Sequence, residues 1–89
     1  MEPENLENMR KRLQYRSWHR GTREMDLLLG SFADGHLSGF SESELAQYEE
    51  ILNISDPDLY NWMTGQEAAP ANLLNSVLEK LLEHRFGQA

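Results

Sequence analysis

Apolar residues recur at helical spacing along most of this chain, and nowhere do they alternate with polar residues as in a half-buried strand. Met25, Leu28, Leu29 and Phe32 stand at positions i, i+3, i+4 and i+7, which places them on one face of a helix. We therefore predict no strands. A chain of 89 residues is near the lower size at which a core supports a fold unaided, so we expect one all-α domain, a small five-helix bundle.

The clearest helix start lies near the middle of the chain. Ser41 and Glu44 have the spacing of a capping box, in which each side chain accepts a hydrogen bond from the other residue's backbone amide. Phe40 and Leu45 flank this pair at the positions of a hydrophobic staple. These four residues predict that the third helix begins at residue 42.

Proline and glycine mark the ends of the later helices. Asp56 suits the N-cap of the fourth helix, with Pro57 at its first position. Pro70 is expected to begin the fifth helix, on which Leu74 starts an apolar stripe, and Gly87 to end it. The five predicted helices span residues 4–16, 22–33, 42–53, 57–64 and 70–86.

Composition excludes several classes of protein. The chain has no cysteine, which rules out disulfides and thiolate metal sites. No apolar stretch approaches the roughly 18 residues of a membrane span, so we expect no membrane insertion. The acidic N-terminus does not resemble a signal peptide or a transit sequence. We expect a protein of a reducing compartment, most simply the bacterial cytoplasm.

Charge is distributed unevenly along the chain. The net charge is −7, yet six of the eight basic residues lie between positions 10 and 23, where no acid occurs. From Glu24 to Glu79 the chain contains acids but no Lys or Arg. This basic edge could steer the protein to an acidic partner. Alternatively, the acidic remainder of the chain neutralises it within the fold.

The sequence Arg20-Gly21-Thr22-Arg23-Glu24 stands where the basic run ends and the second helix begins. Gly21 fits the N-cap, which would place Glu24 at N3. Glu24 could then cap the helix or accept a hydrogen bond from a partner, and both readings stay open. Arg20, Arg23 and Glu24 fall off the apolar stripe, so we expect them to face solvent or a partner.

Few residues suggest catalysis. The chain lacks a glycine-rich phosphate loop and a His-Glu-x-x-His motif, and its serines stand mainly at caps and loops. His19 has no second ligand at i+4, so we predict no metal site. We conclude that the protein is not an enzyme. The basic edge leaves nucleic-acid binding as an alternative function, although the acidic remainder would repel phosphate.

Two blocks of sequence resemble a known family. Arg20-Gly21-x-x-Glu24, followed by Met25-Asp26 and a leucine run, is similar to the signature of the SdhE family, the flavinylation factors of succinate dehydrogenase. The second block, Asp56-Pro57-Asp58-Leu59-Tyr60-Asn61-Trp62, is similar to the family's Asp-Pro-Asp-Leu-aromatic-Asn-Trp stretch. The two blocks stand at the family's spacing. The resemblance extends from about residue 12 to residue 82.

The resemblance implies a function in assembly. A member of this family would bind the flavoprotein subunit of succinate dehydrogenase, with fumarate reductase as a further candidate. It would promote covalent attachment of FAD to a histidine of that subunit, without holding FAD stably itself. We expect a free monomer. The alternative is a nucleic-acid-associated regulatory protein that uses the basic edge.

The resemblance also assigns residues to the partner-binding surface. Gly21 would allow the partner backbone to approach closely, since a side chain there would block it. Arg20 would pair with a carboxylate or carbonyl of the flavoprotein. The Asp56-Pro57-Asp58 stretch is read as a structural helix start and Trp62 as a core residue. The predicted surface comprises Arg20, Gly21 and Glu24, together with Arg16, His19, Arg23 and Asp26.

Overall fold

The computed structural model describes residues 4–84, and within that range it contains five α-helices and no strand. The all-α, five-helix prediction is confirmed. Short 3₁₀ turns at Leu37–Gly39 and Ala71–Leu73 lead into the third and fifth helices. The helices are α1 (Leu6–Trp18), α2 (Arg23–His36), α3 (Glu42–Leu52), α4 (Asp56–Met63) and α5 (Ser76–Glu83).

Side-chain caps determine where these helices begin. The capping box of Ser41 and Glu44 is present in both directions, as predicted. The prediction for α4 is wrong by one residue, because the Ser55 hydroxyl accepts from the Asp58 amide and Ser55 is the N-cap. Asp56 therefore lies at the first position of α4, and its carboxylate is not used as a cap.

The fifth helix is shorter than predicted. Pro70 precedes the 3₁₀ turn Ala71–Leu73 instead of opening an α-helix, and Leu74 is extended and exposed. The side chain of Asn75 accepts from the Leu78 amide, so α5 begins at Ser76. A good capping residue thus takes precedence over the earlier proline. The predicted end of this helix, residues 85–86 and Gly87, lies outside the described residues.

One hydrophobic core joins all five helices. The stripe predicted on α2 is confirmed, with Met25, Leu29 and Phe32 buried and Leu28 half-buried against them. Leu13 of α1 and Tyr48 of α3 are fully buried, while Trp62 is half-buried and packs against the core. The buried core consists of Leu13, Met25, Leu29, Phe32, Ala33, Leu37, Phe40, Leu45, Tyr48, Ile51, Leu52, Leu59, Met63, Val77, Leu78 and Leu81.

Close contact between Trp18 and Gly30 positions α1 against α2. The indole ring of Trp18 lies directly over Gly30, so a β-carbon at position 30 would overlap the ring. The indole nitrogen donates to Asp34 Oδ1 at 3.2 Å, which holds the ring in place. The segment that connects α1 to α2 begins immediately after Trp18, so this contact also determines the position of that segment.

We expect Gly30→Ala to lower the free energy of unfolding by about 1–3 kcal/mol, because overpacking outweighs the gain in helix propensity. Gly35→Ala is the matched control in the same helix, since within the described part of the chain a β-carbon there meets no atom within 4 Å beyond its own helical backbone. It should leave stability unchanged or raise it by up to about 1 kcal/mol. Urea unfolding of both variants tests this, and equal stability of the two would contradict the packing role of Gly30.

Candidate functional site

The segment between α1 and α2, residues 19–22, forms an exposed corner. His19 ends α1, and its amide donates to the Arg16 carbonyl at 3.3 Å. Gly21 has φ +114°, a backbone conformation that favours glycine. The Thr22 hydroxyl accepts from the Met25 amide at 3.2 Å, so Thr22 caps α2 and the predicted N-cap at Gly21 is wrong. Glycine has no side chain with which to accept that bond, and its role here is conformational.

Asp26 stabilises the corner through a hydrogen bond to its backbone. Its Oδ1 accepts a hydrogen bond from the Arg20 backbone amide at 2.5 Å. Asp26 was predicted to contact a partner, and in the free chain this oxygen is engaged within the corner itself. Its local role is to attach the corner to the first turn of α2.

Glu24 is the carboxylate that remains free at the corner. It is exposed, and within residues 4–84 it forms no hydrogen bond or ion pair. Thr22 caps the helix and Asp26 accepts from the corner amide, so neither task falls to Glu24. Of the two readings left open by the sequence, the structure excludes helix capping and leaves Glu24 accessible to another molecule.

The side chain of Arg20 points into the protein. Arg20 was predicted to face solvent or a partner, but its side chain is only 10% exposed and its carboxylate and carbonyl acceptors belong to this chain. Its Nε donates to Asp56 Oδ1 at 2.8 Å, and its Nη2 lies 2.7 Å from the same oxygen. Nη1 donates to the Leu52 carbonyl at 2.6 Å and Nη2 to the Ile54 carbonyl at 2.9 Å. We call these four contacts the Arg20 clamp.

The Arg20 clamp brings the two sequence blocks together. Arg20 and Asp56 are 36 residues apart in the chain. Asp56 is available for this contact because Ser55 caps α4 in its place. The two carbonyls come from the end of α3 and the loop that follows it, where backbone acceptors lack helical partners. The corner is thereby attached to the start of α4.

The other basic residues are mostly paired within the fold. Arg12 bonds to Glu4 and Glu49, and these hydrogen bonds raise the guanidinium pKa and lower the pKa of Glu4. Arg10 donates to two backbone carbonyls, and Lys11 pairs with Glu7. Arg23 is exposed and has no such partner in the described part of the chain. Three of the six residues of the basic edge pair with acids from the acidic part of the chain, namely Arg12 and Arg16 with Glu49 and Arg20 with Asp56. The reading in which the acidic body neutralises the basic edge therefore holds for about half of it, and Arg23 stays unpaired within residues 4–84.

A shallow depression lies beside the corner on the α1 side. Its volume is about 270 Å³, and it is lined by Tyr15, Arg16, His19, Arg20 and Asp56. The rings of Tyr15 and His19 stack at 3.9 Å, and His19 Nδ1 lies 2.7 Å from the Tyr15 carbonyl. Arg16 and His19 were predicted for this surface. Tyr15, which is 65% exposed, was missed, although its i, i+4 spacing from His19 could have indicated it.

A second depression lies on the other side of the corner, between α2 and α4. Its volume is about 350 Å³, and Glu24 lines it together with Tyr60 and Asn61 of the second sequence block. Sequence reasoning assigned this block to a helix start and to the core, and it missed these two residues as surface groups. The signal was present, because Tyr60 and Asn61 fall between the core residues Leu59 and Met63.

The described residues contain neither a metal-binding cluster nor a membrane-spanning helix. Within residues 4–84, no cluster of three or more His, Asp or Glu side chains could hold a metal ion. None of the helices described is long and apolar enough to cross a membrane.

Comparison with known proteins identifies the family. The model of the Sdh5 family, described as the flavinator of succinate dehydrogenase, matches residues 11–85. The chain is 35% identical over 80 residues to the FAD assembly factor SdhE of Acetobacter pasteurianus, covering 90% of this chain and 73% of that protein.

Mitochondrial proteins are similar as well. Succinate dehydrogenase assembly factor 2 of Dictyostelium discoideum is 42% identical over 79 residues, covering 89% of this chain and 55% of the relative. The protein of the same name in Schizosaccharomyces japonicus is 43% identical over 77 residues, covering 85% and 54%. This chain spans about half the length of these mitochondrial relatives. The chain belongs to the succinate dehydrogenase flavinator family, as the resemblance of its two sequence blocks predicted.

Proposed function

We propose that this protein is an assembly factor that binds the flavoprotein subunit of succinate dehydrogenase and promotes covalent attachment of FAD to it. Membership of the family supports this function, as do the printed names of the bacterial and mitochondrial relatives. None of the relatives reported above is named for binding nucleic acid. We extend the proposal to fumarate reductase as a second partner and to action as a monomer in the bacterial cytoplasm.

The observation that carries the proposal is the exposed corner. Gly21, Arg23 and Glu24 are all exposed, and a β-carbon at Gly21 would meet no atom within 4 Å among residues 4–84, its two chain neighbours apart. A partner backbone can therefore approach Gly21 closely. The two free charges beside it can form charge-assisted hydrogen bonds with that partner.

The mechanism we propose is positioning without catalytic groups from this chain. Flavin and the partner's histidine supply the bond-forming chemistry. The bundle would hold the flavoprotein in the geometry in which these two groups meet, and such positioning can account for a large acceleration. FAD remains with the partner, and this chain only holds the partner in position.

The contacts of Arg20 suggest that it supports the corner from beneath. With its donors engaged by Asp56, Leu52 and Ile54, Arg20 would organise the surface that Gly21 and Glu24 present. Arg23, by contrast, stands in the first turn of α2, where a cation opposes the helix dipole. A role in partner binding would explain an arginine at this position.

We expect Gly21→Arg to abolish covalent flavin on the co-expressed flavoprotein, because the long side chain projects into the space that the partner occupies. Gly21→Ala is the matched control. Both variants carry the strain of a positive φ, about 1–3 kcal/mol, but alanine adds little bulk and should retain most of the flavin. In-gel flavin fluorescence measures the product, and circular dichroism checks the fold. Full fluorescence with Gly21→Arg would contradict the assignment of the corner.

We expect Arg20→Ala to lower the stability of the protein and Arg23→Ala to weaken its binding of the flavoprotein. Removing Arg20 leaves Asp56 and two carbonyls without their donor, so the free energy of unfolding should fall by about 2–4 kcal/mol. Removing Arg23 should change stability by less than about 0.5 kcal/mol while weakening binding of the flavoprotein. Urea unfolding and a binding titration separate the two effects. An Arg20→Ala variant of unchanged stability would show that the clamp contributes little to the fold.

A further inference from the structure

A groove runs away from the corner between α2 and α4. Pro57, Tyr60 and Asn61 of α4 and its C-cap Thr64 stand at positions i, i+3, i+4 and i+7, so they lie on one face of that helix. The opposite wall is formed by Glu24, Leu27 and Leu28 of α2, again at helical spacing, with Thr22 and Met25 beside them. The depression of about 350 Å³ beside the corner and a neighbouring one of about 330 Å³ share Glu24 and Tyr60.

The lining of this groove combines apolar side chains with the polar groups of Thr22, Asn61 and Thr64. Of its two carboxylates, Asp56 pairs with Arg20 and Glu24 is free within the described chain. Leu27 is half-buried and is not among the apolar residues that pack against the core, whereas Leu28 and Tyr60 pack against the core and expose only part of their surface to the groove. The Thr64 hydroxyl donates to the Tyr60 carbonyl at 2.7 Å, so its hydrogen-bonding capacity is partly used within α4. Glu24 stands where the two depressions meet and has no partner within residues 4–84.

We propose that this groove, lined by Glu24, Leu27, Leu28, Pro57, Tyr60 and Thr64, seats a segment of the flavoprotein subunit that presents apolar side chains and one Lys or Arg. The apolar side chains lie against Leu27 and Tyr60, and the cation pairs with Glu24. This inference rests on the proposed function and adds the chemistry of the partner segment to it.

Charge and dimensions support this occupant. A cation is attracted by the unpaired Glu24 and by a chain of net charge −7, whereas an acidic segment would be repelled. The lining residues of α4 extend from position 57 to position 64, which at 1.5 Å per residue is roughly 10 Å. That length accommodates about two turns of a partner helix. The groove is also continuous with the corner, so both surfaces can meet one partner together.

Binding of the purified flavoprotein subunit to Leu27→Gln tests the apolar part of the proposal. We expect roughly tenfold weaker binding, because an apolar contact is replaced by a polar group. Leu73→Gln is the matched control, since Leu73 is 41% exposed and lies in the 3₁₀ turn before α5, outside the groove. It should bind as tightly as the unsubstituted protein. Thermal unfolding of both variants verifies that they remain folded.

Binding of the flavoprotein subunit to Glu24→Gln tests whether Glu24 pairs with a Lys or Arg of the partner segment. We expect severalfold weaker binding at low ionic strength and a flatter dependence of affinity on salt, since the screened charge pair is lost.

Photo-crosslinking from benzoylphenylalanine at Thr64, with position 73 as control, locates the partner segment. We expect crosslinks to the flavoprotein from position 64 alone, in a peptide that contains Lys or Arg.

The outcomes separate this inference from the proposed function. If Leu27→Gln binds like the unsubstituted protein and position 64 does not crosslink, while Gly21→Arg still abolishes flavin attachment, the groove proposal is wrong and the assembly function stands. If the unsubstituted protein neither binds the flavoprotein nor increases its covalent flavin, both proposals are wrong.

Discussion

The Arg20 clamp is the interaction on which the candidate site depends. A guanidinium with 10% of its side chain exposed must recover the hydration it has lost, and it does so through one carboxylate and two carbonyls in good geometry. Its acceptors come from the end of α3, the loop after it and the first residue of α4. One side chain therefore connects the corner to two elements that lie far away in sequence.

The clamp divides the charged residues of the corner into two groups. Arg20 and Asp56 pair with each other, and Asp26 accepts from the corner backbone, so these three build the surface. Arg23 and Glu24 have no such partners in the described chain and remain available to bind. The contact of Trp18 with Gly30 completes this arrangement, because it determines how α1 lies on α2 at the point where the corner begins.

Local signals predicted much of the fold. The apolar period indicated five helices without strands, and Ser41 with Glu44 located the start of α3 because a capping box depends only on residues close in sequence. The errors arose where two local signals compete. In three helices the side-chain oxygen that caps the N-terminus belongs to a residue other than the predicted one. The caps are Thr22, where Gly21 was predicted, Ser55, where Asp56 was predicted, and Asn75, five residues after the predicted start at Pro70.

The candidate site was harder to predict than the fold. Arg20 does not belong to the apolar stripe of α2, which suggested that its side chain faces outward. Its acceptors lie more than 30 residues away in the chain, and no local pattern reveals them. The sequence could indicate that Tyr60 and Asn61 lie off the buried positions Leu59 and Met63, but the depression that they line with Glu24 exists only because α4 packs beside α2. The family resemblance indicated which two blocks matter, and the structure gives the physical reason that they occur together.

Backbone amide resonances of the ¹⁵N-labelled protein, recorded during titration with the flavoprotein subunit, test the central claim most directly. The account predicts that signals of residues 21–28 and 58–64 shift or broaden first, since the corner and the groove beside it meet the partner. Changes confined to α3 and α5, with the corner unaffected, would contradict it.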